Sequence, residues 1–343
     1  MKDAVLNSSI TDAPSIDTVQ DPVQAMPEAI TDLIATLDLS IASQHPVPEI
    51  GPLLERTVLA GGKRLRPTLC YLMSGIFEVP LEKATPYARL TEFVHSASLA
   101  HDDVLDWADR RRDKPTINAV SCNSQAILSG DFLVARVFAE LSALKAYDLI
   151  ADLSEVMEFL VYGEWLQENS RFNTAVTSKT LLQVAEFKTA SLISWSCMVP
   201  ARMRKMDPRV VQMCKELGKK LGIGFQLVDD VIDYDPEGEK DFARDLKNGF
   251  INMVTWELID RNPELVPDLR KFLTGEAVPT PDWHREEVEA ATSRVRKRAS
   301  DELTAARDQL DEICQIVLGE RRETNLFARS LIELIDLMSM RTF

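Results

Sequence analysis

The sequence predicts an all-α fold of about ten or more helices packed as a single domain. Three observations support this prediction. The chain has only 13 glycines in 343 residues, which is unlike a turn-rich β protein. The alternation of apolar and polar residues that marks a strand is nearly absent. Apolar residues instead recur at the three- and four-residue spacing that places them on one face of a helix.

The predicted elements follow one another with short breaks. Residues 1–25 are polar and are expected to form a mobile tail, so that the single domain spans 26–343. The segment IGPLLERTVLAGGKRLRPTLCYLMSGIF is predicted as two helices separated by Gly61 and Gly62, with Pro67 in the first turn of the second. Other predicted helices occupy 27–43, 83–106, 124–147, 150–168, 178–199, 208–235, 248–260 and the region that follows the loop 273–283.

Charge and composition exclude several classes of protein. The net charge is -15, which argues against nucleic acid as the main partner because binding to phosphate backbones depends on clustered Lys and Arg. No apolar run reaches 18 residues, so no membrane-spanning helix is expected. The first 50 residues lack the basic residues of a mitochondrial presequence and the basic start and apolar run of a secretory signal. The five cysteines form no Cys-x-x-Cys pair. A cytoplasmic location is therefore expected.

Two acidic motifs of the same pattern end two strongly apolar helical segments. The first, HDDVLD, contains Asp102, Asp103 and Asp106. The second, VDDVID, contains Asp229, Asp230 and Asp233. Carboxylates close to a core are costly unless their charge is balanced. Because Mg²⁺ prefers oxygen ligands and accepts one or two carboxylates together with substrate phosphates, the two motifs predict a magnesium site.

Basic residues accompany these motifs at three places. Lys63, Arg64 and Arg66 follow two glycines in GGKRLRP, where the backbone can approach an anion closely. Arg111 and Arg112 follow the first acidic motif, and Lys188 interrupts the apolar stretch EFKTASLISW. Carboxylates that hold metal, placed beside such cations, are suited to binding a diphosphate, whose oxygens can contact the metal and paired Arg donors together.

Six elements in this order resemble the trans-type (head-to-tail) isoprenyl diphosphate synthases. They are GGKRLRP, EFVHSASLAHDDVLD, RRDKPTIN, LSGDFLVAR, FKTASL and FQLVDDVIDY. The resemblance implies an isoprenoid synthase type of fold, in which the helices surround a central active-site cavity. It also implies a homodimer, isopentenyl diphosphate and an allylic diphosphate as substrates, and Mg²⁺, three ions per site, as cofactor.

The resemblance implies roles for particular residues. Those expected to hold isopentenyl diphosphate are Lys63, Arg66, His95 and Arg112. Those expected to contact the allylic diphosphate are Arg111, Lys188, Thr189, Gln226 and Lys240. The six aspartates of the two motifs are expected to hold the metal. Catalysis would fall to Lys188 and to five of those aspartates, namely Asp102, Asp103, Asp106, Asp229 and Asp230.

The sequence departs from the family pattern after the second motif. A lysine of the pattern is replaced by Phe250 and a threonine by Asn252, which predicts altered closure over the allylic diphosphate rather than lost activity. The family's chain-length positions, four and five residues before Asp102, are the small residues Ser98 and Ala97. A helix turn rises about 5.4 Å, roughly one isoprene unit, so small side chains there predict a long product of C25 or longer.

Three alternatives remain open at this point. A short-chain synthase would stop at farnesyl or geranylgeranyl diphosphate. A class I terpene cyclase would ionise a diphosphate on a similar fold, but it has no use for a second diphosphate site such as GGKRLRP. A non-catalytic subunit of a synthase would commonly have lost aspartates from its motifs, whereas all six are present in this sequence.

Overall fold

The computed structural model describes residues 26–41, 46–112, 114–235, 242–276 and 283–339. The predicted tail at 1–25 lies outside these residues. Within them the predicted all-α fold is confirmed. The α-helices are α1 Glu28–Ala35, α2 Ile50–Arg56, α3 Leu65–Ile76, α4 Leu81–Leu105, α5 Ile117–Val120, α6 Asn123–Ala143, α7 Tyr147–Asn169, α8 Ser178–Val184, α9 Ser191–Met203, α10 Pro208–Ile232, α11 Arg244–Lys247, α12 Met253–Arg261, α13 Val266–Leu273, α14 Arg285–Leu318 and α15 Leu326–Ser339.

Shorter elements connect these helices. A π-helical segment, Ala185–Ala190, joins α8 to α9, and 3₁₀ turns occupy Pro263–Leu265 and Gly319–Glu323. In the described part of the chain, β structure is confined to β1 Arg110–Arg111, which pairs antiparallel with β2 Lys114–Pro115. This ladder fixes the position of the basic segment that follows the first acidic motif.

Helix ends follow local side-chain chemistry. Gly61 and Gly62 have φ of 73° and 92°, so the chain turns in a conformation that favours glycine before α3 begins. Asp207 caps α10 by accepting a hydrogen bond from the Arg209 amide, and a proline follows it at the first helical position. Asn252 caps α12 by accepting from the Thr255 amide, and for this reason the helix predicted from residue 248 begins at Met253.

The core is arranged around α10, which packs mainly against α14 and α9. Buried apolar side chains form two clusters, and both draw residues from α10 and α14, for example Leu217 and Leu310 in the first and Leu227 and Val295 in the second. Helix α4 packs against α3 and α6 beside the first cluster. Among the described helices, none is both long enough and apolar enough to cross a membrane.

Candidate active site

A cavity of about 710 Å³ opens between α4, α7, the π-helical segment and α10. Both acidic motifs reach it, since Asp102 and Asp230 line its walls. The other predicted site residues in its lining are Arg66, His95, Lys188, Thr189 and Gln226. The structure therefore brings together, around one space, residues that are as much as 164 positions apart in the sequence (230 − 66).

The first acidic motif ends the 25-residue helix α4, and its three carboxylates have three different surroundings. Asp102 is directed to the cavity. Asp103 is buried and accepts a hydrogen bond from Arg111 Nε at 2.7 Å, away from the cavity lining. Asp106, the residue that caps the helix, is more exposed and lies 3.4 Å from Arg171 Nη2. Burial raises the pKa of Asp103, and the Arg111 charge opposes that shift.

Lys188 provides positive charge inside the cavity. It lies on the π-helical segment, and its Nζ is 2.5 Å from Glu164 Oε2 on α7 and 3.8 Å from Asp102 Oδ2. Two carboxylates share one ammonium group, so this part of the site has a net negative charge when Asp102 is ionised. Burial raises the pKa of Asp102 to about 7, against the opposing effect of Lys188. These two carboxylates and Lys188 together form a site that would gain from one more cation.

The second acidic motif ends α10, which is also 25 residues long. Asp230 accepts hydrogen bonds from the Met253 amide at 3.0 Å and from Gln226 Nε2 at 3.1 Å. Thr189 in turn donates to Gln226 Oε1 at 2.9 Å, which links the motif to the segment that bears Lys188. Burial raises the pKa of Asp230 well above its ordinary value, and the nearby Asp245 raises it further.

Asp233 and Asp229 lie outside the cavity lining. Asp233 is buried, and its oxygens accept hydrogen bonds from the amides of Arg244 at 3.0 Å and Asp245 at 3.2 Å. Asn252 donates to Asp245 at 3.1 Å and to Asp233 at 3.4 Å. Asp233 therefore holds the turn that carries Asp245 to the cavity wall, and its predicted role as a metal ligand stays a prediction.

A second group of basic residues lies near His95 at another side of the cavity. Arg66 lines the cavity, and its Nε is buried without a hydrogen-bond partner among the described residues. Burial lowers the pKa of His95 well below 6.5, and the charges of Arg66 and Arg112 lower it further, so the imidazole is neutral. Arg112 packs against Gly62, where a side-chain carbon would come within 2.3 Å of its Nη1. This group is arranged to receive an anion.

Two residues of the basic set have other positions, and a third is not among the described residues. Arg64, next to the predicted ligand Lys63, instead pairs with buried Glu92 at 2.5 Å and donates to the Leu59 carbonyl at 2.6 Å, so it holds α3 against α4. Lys63 itself is exposed and lies outside the cavity lining, while Lys240 lies outside the described residues.

The acidic residues fit a metal ion that shares its ligands with a diphosphate. Among the described residues, no three His, Cys, Asp or Glu side chains are close enough together to hold a metal ion by themselves. Asp102 and Asp230 nevertheless face one cavity from two helices, and Asp103 Oδ2 is buried without a hydrogen-bond partner in the described structure. Mg²⁺ is commonly bound by one or two carboxylates plus substrate phosphates, and this donor set agrees with that chemistry.

The profile of the polyprenyl synthetase family matches residues 47–281, a range that includes the cavity residues of both acidic motifs and Lys188. This chain belongs to the polyprenyl synthetase family. The relatives include a prenyl transferase of Synechocystis, 34% identical over 87% of this chain and 96% of the relative. Solanesyl-diphosphate synthase 1 of rice is 32% identical over 72% of this chain and 62% of that longer protein.

Solved structures agree with this assignment. A decaprenyl diphosphate synthase from Rhodobacter capsulatus superimposes with a TM-score of 0.76, at 26% identity, over 94% of this chain and 98% of the other. The polyprenyl synthetase fold is thus shared across nearly the whole length of both chains, and the cavity lies in that common part.

Sequence reasoning missed three charged residues of this polyprenyl synthetase site. Glu164 pairs with Lys188, Asp245 lines the cavity beside Asp230, and Arg171 pairs with Asp106. Glu164 lies inside the last part of α7 and Arg171 just after its end, in YGEWLQENSRFN, where nothing in the local pattern distinguishes them from surface charges. Asp245 is different, because the sequence resemblance already identifies it as a retained residue of the family pattern after the second motif, although no role followed from that.

Proposed function

We propose that this protein condenses isopentenyl diphosphate onto an allylic diphosphate and releases a trans-polyprenyl diphosphate of C25 or longer. The observation that supports this best is the single cavity lined by Asp102, Asp230 and Lys188, with apolar walls that continue beyond Ala97. A diphosphate bound at the acidic end would direct its hydrocarbon tail along those walls. The named long-chain synthases among the relatives agree with this function.

The roles of the residues follow from their charge. Lys188, Thr189 and Gln226 would bind the allylic diphosphate and orient its C–O bond for cleavage. Arg66 and Arg112 would hold isopentenyl diphosphate through paired, charge-assisted hydrogen bonds. Neutral His95 would add a hydrogen bond to it without adding charge. The two substrates would then be held side by side, with the double bond of one close to the ionising carbon of the other.

Mg²⁺, three ions per site, is the proposed cofactor. The aspartates of the two motifs would hold it, and when bound it supplies positive charge that stabilises the departing diphosphate. The chain's apolar walls, including Leu160, Leu182 and Val184, exclude water from the allylic cation that remains. The electrons of the double bond then form the new C–C bond, and a proton is lost to the diphosphate that has departed.

The length of the product depends on the side chains that precede Asp102 on α4 and line the cavity. Ser98 and Ala97 both line the cavity, as their spacing from the first aspartate predicts. Val94, Val134 and Met157 also line it, so the space continues along α4 for three residues beyond Ala97, a rise of about 4.5 Å. The absence of a bulky side chain at residues 97 and 98 supports elongation past the short-chain products.

The test is incubation of the purified chain with labelled isopentenyl diphosphate and several allylic primers, followed by mass spectrometry. We expect elongation to C25 or longer with Mg²⁺, loss of turnover with a chelator, and recovery when Mg²⁺ is added back. Hydrocarbon release would identify a cyclase instead, and accumulation of farnesyl or geranylgeranyl diphosphate a short-chain synthase. No turnover by the chain alone, with recovery on adding a partner synthase, would identify a non-catalytic subunit.

We also propose that the protein is a homodimer that associates through α6 and α7. Large apolar side chains on these helices are exposed outside the cavity lining, among them Ile127 at 44%, Leu128 at 62% and Tyr162 at 50%. Exposed large apolar side chains on neighbouring helices are typical of an interface. Sedimentation velocity is expected to give the mass of two chains, and Leu128→Arg is expected to reduce it to one. A monomeric wild-type chain at micromolar concentration would contradict the proposal.

A further inference from the structure

Two turns meet at the mouth of the cavity, one after α7 and one before α12. The Phe172 amide donates a hydrogen bond to the Gly249 carbonyl at 2.7 Å. Gly249 has φ of 89°, and a side-chain carbon there would come within 2.3 Å of the Phe172 ring. Glycine is therefore required for this contact, which fixes the positions of the neighbouring residues, Arg171 and Phe250.

Arg171 is held over the Phe250 ring, with its guanidinium carbon 4.5 Å from the ring centroid. Its Nη2 lies 3.4 Å from Asp106 Oδ1 and 3.2 Å from Glu168 Oε1. Its Nε is buried without a hydrogen-bond partner among the described residues. Phe250 and Glu168 both line the cavity. Arg171 is thus a fixed cation that contacts two cavity-lining residues, Glu168 and Phe250, and its buried Nε has no partner in the described structure.

Asp102 and Asp106 of the first motif each have their own cation, and of the two it is Asp102 that lines the cavity. Lys188 lies beside Asp102, and Arg171 lies beside Asp106. This chain has a phenylalanine at position 250, where the sequence resemblance implies a lysine. A phenylalanine cannot bind a phosphate, but its ring can support a guanidinium while leaving the donors in the plane of that group unobstructed.

We infer that Arg171, supported by Phe250, binds the allylic diphosphate in place of the lysine that the sequence resemblance implies at position 250. This inference rests on the proposed function, and it names a substrate-binding residue for the first diphosphate. An arginine suits the role because its planar donors can bind two phosphate oxygens together. The departure at Phe250 is then compensated within the chain by a residue 79 positions earlier (250 − 171).

The test compares four proteins: wild type, Arg171→Ala, the double variant Arg171→Ala/Phe250→Lys, and the control Arg307→Ala. Arg307 forms an exposed pair with Asp336 at 2.9 Å on α14 and α15, so its loss leaves the cavity unchanged. KM for the allylic primer and for isopentenyl diphosphate are measured separately. Binding of a non-ionisable allylic thiolodiphosphate is measured by calorimetry, and thermal unfolding verifies that each variant is folded.

We expect Arg171→Ala to weaken primer binding by roughly tenfold or more, as for loss of hydrogen bonds from a charged group, while KM for isopentenyl diphosphate changes less than about twofold. The double variant is expected to regain most of the lost primer affinity, because the lysine restores positive charge at the same place. If Arg171 had a purely structural role, its loss would weaken the binding of both substrates. Phe250→Lys would then not restore the affinity for the primer.

Two results would overturn the inference. The first is that the wild type is active and the folded Arg171→Ala variant binds the primer as tightly as the wild type does. The second is equal loss for both substrates without recovery in the double variant. In either case the proposed function stands. If the wild type itself elongates no primer, the proposed function fails and this inference fails with it.

Discussion

Asp102→Asn is expected to lower kcat by about 10²- to 10³-fold while the protein remains folded. Asp102 lines the cavity and lies 3.8 Å from Lys188, so the substitution removes negative charge where metal and diphosphate are proposed to bind. Lys188 keeps Glu164 as its partner at 2.5 Å, and therefore no cation is left without a counter-ion. Steady-state rates at saturating substrate and Mg²⁺ measure the effect.

The same variant is expected to be more stable than the wild type when metal is chelated. Burial raises the pKa of Asp102 from 3.8 to about 7, so the folded state binds this proton more tightly than the unfolded state. Its ionisation therefore costs stability that is absent below pH 3.8, grows as the pH rises toward 7, and stays constant above it. The gain in Tm from Asp102→Asn should accordingly be larger at pH 8 than at pH 5.

Asp301→Asn is the matched control, since Asp301 is an exposed aspartate on α14 and lies outside the cavity lining. It is expected to change neither kcat nor the pH dependence of Tm. A folded Asp102→Asn variant with wild-type kcat would contradict the role given to Asp102. A Tm at pH 8 that is lower for Asp102→Asn than for the wild type, with metal chelated, would contradict the loss of stability assigned to the buried charge of Asp102.

Ala97→Phe is expected to shorten the main product by at least one isoprene unit. Ala97 is 1% exposed and lines the cavity on α4, and the space continues past it to Val94, Val134 and Met157. A phenyl group there would close the path that the growing tail follows. Products are measured by mass spectrometry at matched conversion, and the first condensation is expected to remain within severalfold of the wild-type rate.

Ala97→Val serves as the graded control, because it narrows the same path without closing it and should shift the product distribution less. Added volume at a buried position costs about 1–3 kcal/mol, so thermal unfolding is recorded for both variants. An unchanged product distribution in a folded Ala97→Phe variant would show that other residues end elongation.

Much of this architecture could be predicted because its signals are local. Apolar spacing indicated the long helices, and the Asp-Asp-x-x-Asp pattern indicated carboxylates at the ends of α4 and α10. Helix ends were less predictable. The helix predicted over 27–43 ends at Ala35, where the Thr36 hydroxyl donates to the Asp32 carbonyl, and the helix predicted over 178–199 is interrupted by the π-helical segment.

The sequence could not predict how the members of each motif divide their roles. Both motifs have the same spacing, yet Asp106 meets Arg171, whereas Asp233 meets the amides of Arg244 and Asp245. These partners come from turns that are distant in sequence or follow no repeating pattern. Tertiary packing decides such contacts, and a local pattern contains no information about them.

Helices α4 and α10, each 25 residues long, both end at the acidic side of the cavity with an aspartate as the capping residue. The peptide dipoles of a helix sum to about half a negative elementary charge at its carboxyl end. The backbone therefore adds a cation-attracting potential that substitution of side chains cannot remove. A chain that lacked one carboxylate would still concentrate divalent ions at this place, so loss of catalysis and loss of metal binding need not be equal in size.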